Sequence, residues 1–178
     1  MEESAGFIHN KEIHVEFFLK KKHIVIDDLN NISQNWKSYF LRFNELNESE
    51  LREYLTDGDF YIEGAVYITN FGKELIGFKY WDLLDQLCSY FIHSIDEITR
   101  NNKESEKFYF PDQPVDVTVT KEKEMIGIKI GNEDIFYLNK NIFIKEFLNA
   151  CKNLYQRINI NSYELEIEKI DEILKCVR

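Results

Sequence analysis

A long apolar stripe at helical spacing is the feature that most restricts how this chain can fold. Between Lys79 and Arg100, apolar side chains recur every three or four residues. The stripe consists of Trp81, Leu84, Cys88, Phe91, Ile95 and Ile98, and it is widened by Tyr80, Leu87 and Ile92. This spacing places side chains on one face of an α-helix. We therefore expect a long central helix over about residues 79–100, buried along a broad face.

Segments that alternate between apolar and polar residues, as β-strands do, occur on both sides of this stripe. Before it, the pattern predicts strands at 11–19, 23–27, 60–69 and 74–78, and the first two are expected to form a hairpin. After it, VDVTVT (115–120) and EMIGIKI (124–130) alternate in the same way, DIFYL (134–138) is a further short strand, and short polar turns separate the three. These last three segments predict a meander, preceded by a polar loop at 101–107.

Further helical patterns complete the chain. Residues 33–55 predict a broken helix, and its second piece, 47–55, begins at Asn47 or Ser49 as the N-cap. Apolar spacing predicts two more helices at 141–158 and 163–177. Strands and helices are mixed without regular β-α-β alternation. This favours one α+β domain over 1–178, with a mainly antiparallel sheet of about five to six strands covered on one face by three to four helices.

The composition restricts the classes of partner. The 178 residues carry a formal net charge of -10, which repels nucleic acid and anionic lipid and attracts a basic protein. No apolar stretch approaches the ~20 residues that cross a bilayer, and the acidic start MEESAGFIHNK does not resemble a secretory signal. The three cysteines are far apart, which indicates buried thiols in a reducing cytoplasm.

The motifs that hold metals or cofactors do not occur. The chain has four histidines, and no HExxH, CxxC or EF-hand spacing is found among its residues. Its glycines fit neither the dinucleotide-binding nor the P-loop pattern. We therefore expect neither a metal site nor a cofactor.

One spacing invites a catalytic interpretation. Asp85, Ser89 and His93 follow one another at four-residue intervals on the central helix. A catalytic triad requires a nucleophile exposed beside an oxyanion hole, which side chains stacked along one helix do not provide. We therefore interpret the three as a polar helix face. An enzyme acting through dispersed carboxylates stays open as an alternative, and a pocket joining Asp82, Asp85 or Asp112 to His93 would favour it.

An acidic cluster is the first candidate binding surface. Six carboxylates occur between positions 45 and 59, where Arg52 is the single basic residue. They are Glu45, Glu48, Glu50, Glu53, Asp57 and Asp59. This cluster can be a docking surface for a cationic partner, for which it would raise the association rate. It can equally be the solvated face of a helix in an acidic protein.

The stretch FYFPDQP (108–114) contains both prolines of the chain, Pro111 and Pro114. Each proline excludes the helical conformation from the residue before it, so the stretch is predicted to be an extended joint leading into the meander. Asp112 and Gln113 are left as a polar tip between the prolines. We keep both interpretations of this tip, as part of a joint and as a contact for a partner.

The run YWDLLDQLCSYFIHSIDEI (80–98), followed by a polar loop and FYFPDQPVDVTV (108–119), resembles the small acidic α+β immunity proteins of bacterial polymorphic toxin systems. The resemblance extends over about residues 60–138. It implies an inhibitor that binds and neutralises a toxin domain and has no catalytic activity of its own. The alternatives are the enzyme described above and a structural or regulatory subunit that associates with itself.

Overall fold

The computed structural model describes residues 12–56, 61–158 and 163–177. Its strands are β1 Ile13–Lys20, β2 Phe40–Arg42, β3 Glu63–Asn70, β4 Lys73–Ile76, β5 Asp82–Leu83, β6 Ser105–Tyr109, β7 Asp116–Glu122, β8 Met125–Ile130 and β9 Phe136–Asn139. Its α-helices are α1 Trp36–Tyr39, α2 Glu48–Thr56, α3 Leu84–Thr99, α4 Lys140–Ile158 and α5 Glu164–Cys176. Short 3-10 helices occupy Phe43–Glu45 and Phe78–Tyr80.

The predicted α+β class is confirmed, and every described strand pair is antiparallel. The strands are divided between two sheets, whereas a single sheet of five to six strands was expected. One sheet has the order β2-β1-β3-β4, with β5 also paired to β3, and the other has the order β6-β7-β8-β9.

The predicted N-terminal hairpin is wrong, although β1 itself is confirmed. Residues 23–27 form no strand, and β1 instead lies between β2 and β3. Both faces of β1 are buried, since Phe17 and Phe18 are 2 % and 0 % exposed. The backbone N–H and C=O groups of a strand in such an apolar interior require hydrogen-bond partners at both edges. Residues 23–25 are exposed and do not pair with this buried strand.

The central helix is shorter than the apolar stripe predicts. It begins at Leu84, because Asp82 and Leu83 pair with Gly64 and Glu63 of β3 and so take an extended conformation. The break within 33–55 and the helix at 47–55 are confirmed, the latter as α2, but the first helical piece is reduced to α1, and Phe40–Arg42 form strand β2 where helix was predicted. The helices predicted at 141–158 and 163–177 correspond to α4 and α5.

The core lies where α3 and α4 contact strands of both sheets. One continuous cluster of buried side chains runs from Ile13 to Val177 and includes the thiols of Cys88 and Cys151. Cys176 is exposed, which corrects the expectation that all three thiols are buried. A second cluster of buried side chains covers the opposite face of the five-stranded sheet. Both faces of this sheet are therefore covered, whereas cover on one face was expected. Its members are Phe18, Ile32, Trp36, Phe40, Ala65, Tyr67 and Phe78.

The predicted meander is confirmed as β7, β8 and β9, and a fourth strand precedes it. Part of the segment predicted as a polar loop belongs to β6, which pairs with β7 from Ser105↔Thr120 to Tyr109↔Asp116. The strand escapes detection because its sequence, SEKFY, is mostly polar and lies at a sheet edge, where a strand needs few apolar residues. The proline stretch is therefore the connection of a hairpin between β6 and β7.

Candidate functional site

The connection between β6 and β7 is held in place by one buried carboxylate. Asp82 is 2 % exposed, and its Oδ1 accepts a hydrogen bond from the Leu83 N–H at 2.6 Å. The N–H of Asp112 donates to Oδ1 and Oδ2 at 3.0 and 3.2 Å, and the N–H of Gln113 donates to Oδ2 at 3.1 Å. The Gln113 side-chain amide donates to the carbonyl of Trp81. Asp82 thus binds the tip of the connection, 30 residues away in sequence, to the start of α3.

The rest of the connection is anchored at its two ends. The N–H of Phe110 donates to the Val115 carbonyl at 2.9 Å, which closes the hairpin around the two prolines. Phe110 is 3 % exposed, and its ring lies 5.9 Å from that of Tyr80. We call residues 111–114 the proline loop. The backbone N–H groups of its polar tip donate to Asp82, the Gln113 carbonyl accepts the Val115 N–H at 2.8 Å, and the Asp112 side chain is exposed.

Burial dominates the ionisation of Asp82. Loss of solvent raises the pKa of this carboxyl above its ordinary value of 3.8, even though three backbone N–H groups act in the opposite direction. The nearby charge of Asp112 contributes in the same sense as burial. Two carboxylates therefore lie close together at the proline loop, and their combined field favours a cation.

A cleft opens beside the proline loop. Its larger part encloses ≈ 590 Å³ and is lined by Tyr61, Glu63, Leu83, Gln86 and Asp112. A second part of ≈ 390 Å³ shares Glu63, Leu83 and Asp112 with the first. It is completed by Ile26, Leu29, Lys79, Trp81, Asp82 and Gln113. We call the two parts together the proline-loop cleft.

The rim of this cleft combines exposed apolar groups with negative charge. Tyr61 is 61 % exposed and Leu29 is 53 % exposed. Exposed aromatic and aliphatic side chains around a concavity are typical of residues that anchor protein interfaces. The two lysines nearby are already paired: Lys20 bonds Glu63 at 2.8 Å, and Lys79 bonds Glu133 at 2.6 Å.

The acidic cluster predicted from the sequence has a different character. Glu45 bonds Arg42 at 2.9 Å, and Glu48 bonds Arg157 at 3.0 Å. Glu50 accepts the Asn47 N–H at 2.8 Å, while the Asn47 side chain accepts the N–H groups of Ser49 and Glu50. This reciprocal pattern is a capping box at the start of α2. Three of the carboxylates therefore support the local fold.

Other members of the cluster have no such role in the described structure, or lie outside it. Glu53 is exposed on α2. Asp57 and Asp59 lie outside the described residues. Helix α2 is adjacent to the cleft, because the Tyr54 hydroxyl donates to the Lys20 carbonyl at 2.8 Å and lies 3.4 Å from the Glu63 carbonyl. The structure thus places both α2 and the proline loop next to Glu63.

The residues of the enzymatic alternative are separated in the structure. Asp85 Oδ2 accepts a 2.7 Å hydrogen bond from the Tyr163 hydroxyl. Ser89 and His93 line a groove between α3 and α5, whereas Asp82 and Asp112 lie at the proline-loop cleft. No cleft described here joins either of these two aspartates to His93. The polar helix-face interpretation of Asp85, Ser89 and His93 agrees with this arrangement.

Sequence reasoning missed most of the cleft. Tyr61 was one of ten tyrosines without a distinguishing pattern, and Glu63 and Gln86 carry no motif. The sequence offers Asp82 only as an acid–base candidate, because two of its three backbone donors, the N–H groups of Asp112 and Gln113, reach it only after folding. Tyr61 is set apart by its exposure together with its position at the cleft, and local spacing encodes neither of these.

The described parts of the chain show neither a metal-binding cluster nor a membrane-spanning helix. They contain no group of three or more His, Cys, Asp or Glu side chains arranged to hold a metal ion. None of their helices combines the length and apolarity required to cross a bilayer.

The comparisons with known proteins were negative as well: the chain matches no family model, no curated protein and no solved structure.

Proposed function

We propose that this protein is a cytoplasmic, non-enzymatic binding protein of the immunity type, which neutralises a basic toxin domain by covering it. The observation that carries the proposal is the proline-loop cleft, where exposed Tyr61 and Leu29 lie beside the carboxylates of Glu63 and Asp112. Aromatic anchors supply most of the affinity of such an interface. The charges around them determine which partner is accepted. The net charge of -10 attracts a basic surface over a longer range.

The rigidity of the site supports the same proposal. The proline loop is fixed by two prolines, by the closing hydrogen bond of Phe110 and by the bonds to Asp82. A loop that is ordered before binding loses little conformational entropy when a partner binds. An inhibitor that must hold its target tightly benefits from such preorganisation.

The proposal is tested by growth protection. Toxin domains identified by pull-down or by sequencing the neighbouring genes are expressed with and without the protein, and binding of each purified pair is measured by calorimetry. We expect wild-type protein to restore growth. Tyr61→Ala is expected to weaken binding about 30-fold or more, as removal of an interface anchor does.

Charge-reversal variants identify which surface of the protein binds the partner. Asp112→Lys tests the proline loop. Glu53→Lys tests helix α2, because Glu53 is the one described carboxylate of the acidic cluster that neither forms an ion pair nor caps the helix. Glu168→Lys on α5 is the matched control, because it makes the same charge change at an exposed position away from the cleft. If wild type does not protect, or if all three reversals weaken binding equally, recognition by this acidic surface is wrong.

Self-association is separated from inhibition by light scattering at several protein concentrations. A constant monomer mass agrees with a one-to-one inhibitor. A mass that rises with concentration favours the alternative of a self-associating subunit.

A further inference from the structure

The larger part of the proline-loop cleft has walls of a particular chemical composition. The cleft is lined by two carboxylates, those of Glu63 and Asp112. The other lining groups are the side-chain amide of Gln86, the exposed ring of Tyr61 and the apolar side chain of Leu83. The walls therefore offer several hydrogen-bond acceptors, one aromatic face and one aliphatic contact. Because Glu63 is already bonded to Lys20, the groups left for a ligand are the Asp112 carboxylate, the Gln86 amide and the Tyr61 ring, which suit a cation that is rich in donors and able to stack.

We propose that this cleft receives an arginine side chain of the protein partner, an inference that rests on the proposed function and names the group recognised. A guanidinium presents five N–H donors in a planar fork, binds carboxylates in a bidentate manner and stacks on aromatic rings. Its aliphatic stem can pack against Leu83 while the head reaches Asp112. The volume of ≈ 590 Å³ lies within the range of small-molecule pockets, so it has room for an arginine side chain.

The structure favours arginine over lysine. The ammonium of Lys20 is bonded to Glu63 Oε2 at 2.8 Å and lies 5.2 Å from the centre of the Trp81 ring. A second ammonium would compete for the same carboxylate and would lose its strong hydration in the cleft. A guanidinium is more weakly hydrated, and it can engage Asp112, Gln86 and the Tyr61 ring without displacing Lys20.

The charges around the cleft exclude an anionic occupant. Asp82 lies behind the proline loop, and Asp27 and Asp28 occupy the segment between Ile26 and Leu29, which line the second part of the cleft. A phosphate or a carboxylate would meet these charges with no unpaired lysine beside it, since Lys20 and Lys79 are bonded to Glu63 and Glu133.

The probes for this inference are three peptides of the form acetyl-Gly-X-Gly-amide, in which X is arginine, lysine or citrulline. Citrulline has nearly the shape of arginine and no charge. Each is titrated into the full-length ¹⁵N-labelled protein, and binding is followed by NMR. With the arginine peptide we expect saturable shifts at the Gln86 side-chain amide and at the N–H groups of Asp112 and Gln113, with weaker binding of lysine and none of citrulline.

Variants make the test specific. Asp112→Asn should weaken the arginine peptide about three- to tenfold, as loss of a partly exposed charged hydrogen bond does. Glu168→Gln removes one carboxylate on α5 and should leave the affinity unchanged. Because Asp112 is exposed, its substitution does not endanger the fold, and an unchanged amide spectrum elsewhere verifies this.

The outcomes separate this inference from the proposed function. Shifts that do not saturate, that lie outside the cleft, or that are equal for arginine and lysine overturn the arginine assignment. If growth protection still holds in that case, the inhibitor proposal stands and only the recognised group is wrong. If the peptides bind as expected and protection fails, the cleft recognises arginine in a partner that is not the toxin.

Discussion

Removing the Asp82 carboxylate should release the proline loop and lower stability by an amount that the structure allows us to estimate. Asp82→Ala leaves the N–H groups of Leu83, Asp112 and Gln113 without their acceptor. An unsatisfied buried donor costs about 1–3 kcal/mol. Leu83 is 8 % exposed and bears this cost in full, whereas water can reach the exposed tip at Asp112 and offset part of it.

We therefore expect Asp82→Ala to lower the free energy of unfolding by about 3 kcal/mol, and Asp82→Asn, which keeps one acceptor oxygen, by about half of that. For a chain of this size, 3 kcal/mol corresponds to a Tm about 6–12 °C lower. Urea unfolding measures the change, with fluorescence of Trp36 and Trp81 as the signal. Amide hydrogen exchange at Asp112 and Gln113 reports the loop directly and should accelerate.

Asp134→Ala is the matched control, because Asp134 is an exposed aspartate in a loop and its removal should change stability by no more than about 0.5 kcal/mol. The reasoning is refuted if Asp82→Ala costs less than about 1 kcal/mol, or if exchange at Asp112 and Gln113 is unchanged. Either result would mean that the prolines alone fix the loop.

Three further perturbations test other parts of the structure. Arg42→Met leaves Glu16, which is 6 % exposed, without the guanidinium that now lies 2.9 Å from its Oε1. Urea unfolding should show a loss of about 3–5 kcal/mol, which is partly recovered when Glu16→Gln is added. Phe147→Ala opens a cavity in a fully buried site between both sheets, and calorimetry should show a loss of about 3–5 kcal/mol. Because the folded protein binds a proton at Asp82 more tightly than the unfolded chain does, the stability of wild type relative to Asp82→Asn should fall as pH rises from 3.8, as measured by unfolding in a pH series.

The sequence determined by itself the elements whose signal is local periodicity. The two-residue period at Ile13–Lys20 and in the meander, and the three- to four-residue period of α4 and α5, correspond to elements of the structure. These periods follow from the geometry of a single strand or helix, so no knowledge of distant residues is needed. The α+β class follows from the order of such elements.

Tertiary structure decided which elements meet and what the polar residues do. The neighbours of β1 are β2 and β3, which supply the hydrogen-bond partners that its buried backbone requires at both edges, and both lie further along the chain. Asp82 acquires its role from N–H groups 30 and 31 positions away, and the cleft forms between segments separated by similar distances. Local spacing records which face of an element is apolar. Local spacing does not say which remote N–H group or carboxylate will contact a given polar side chain, since only packing of the whole core brings these groups together.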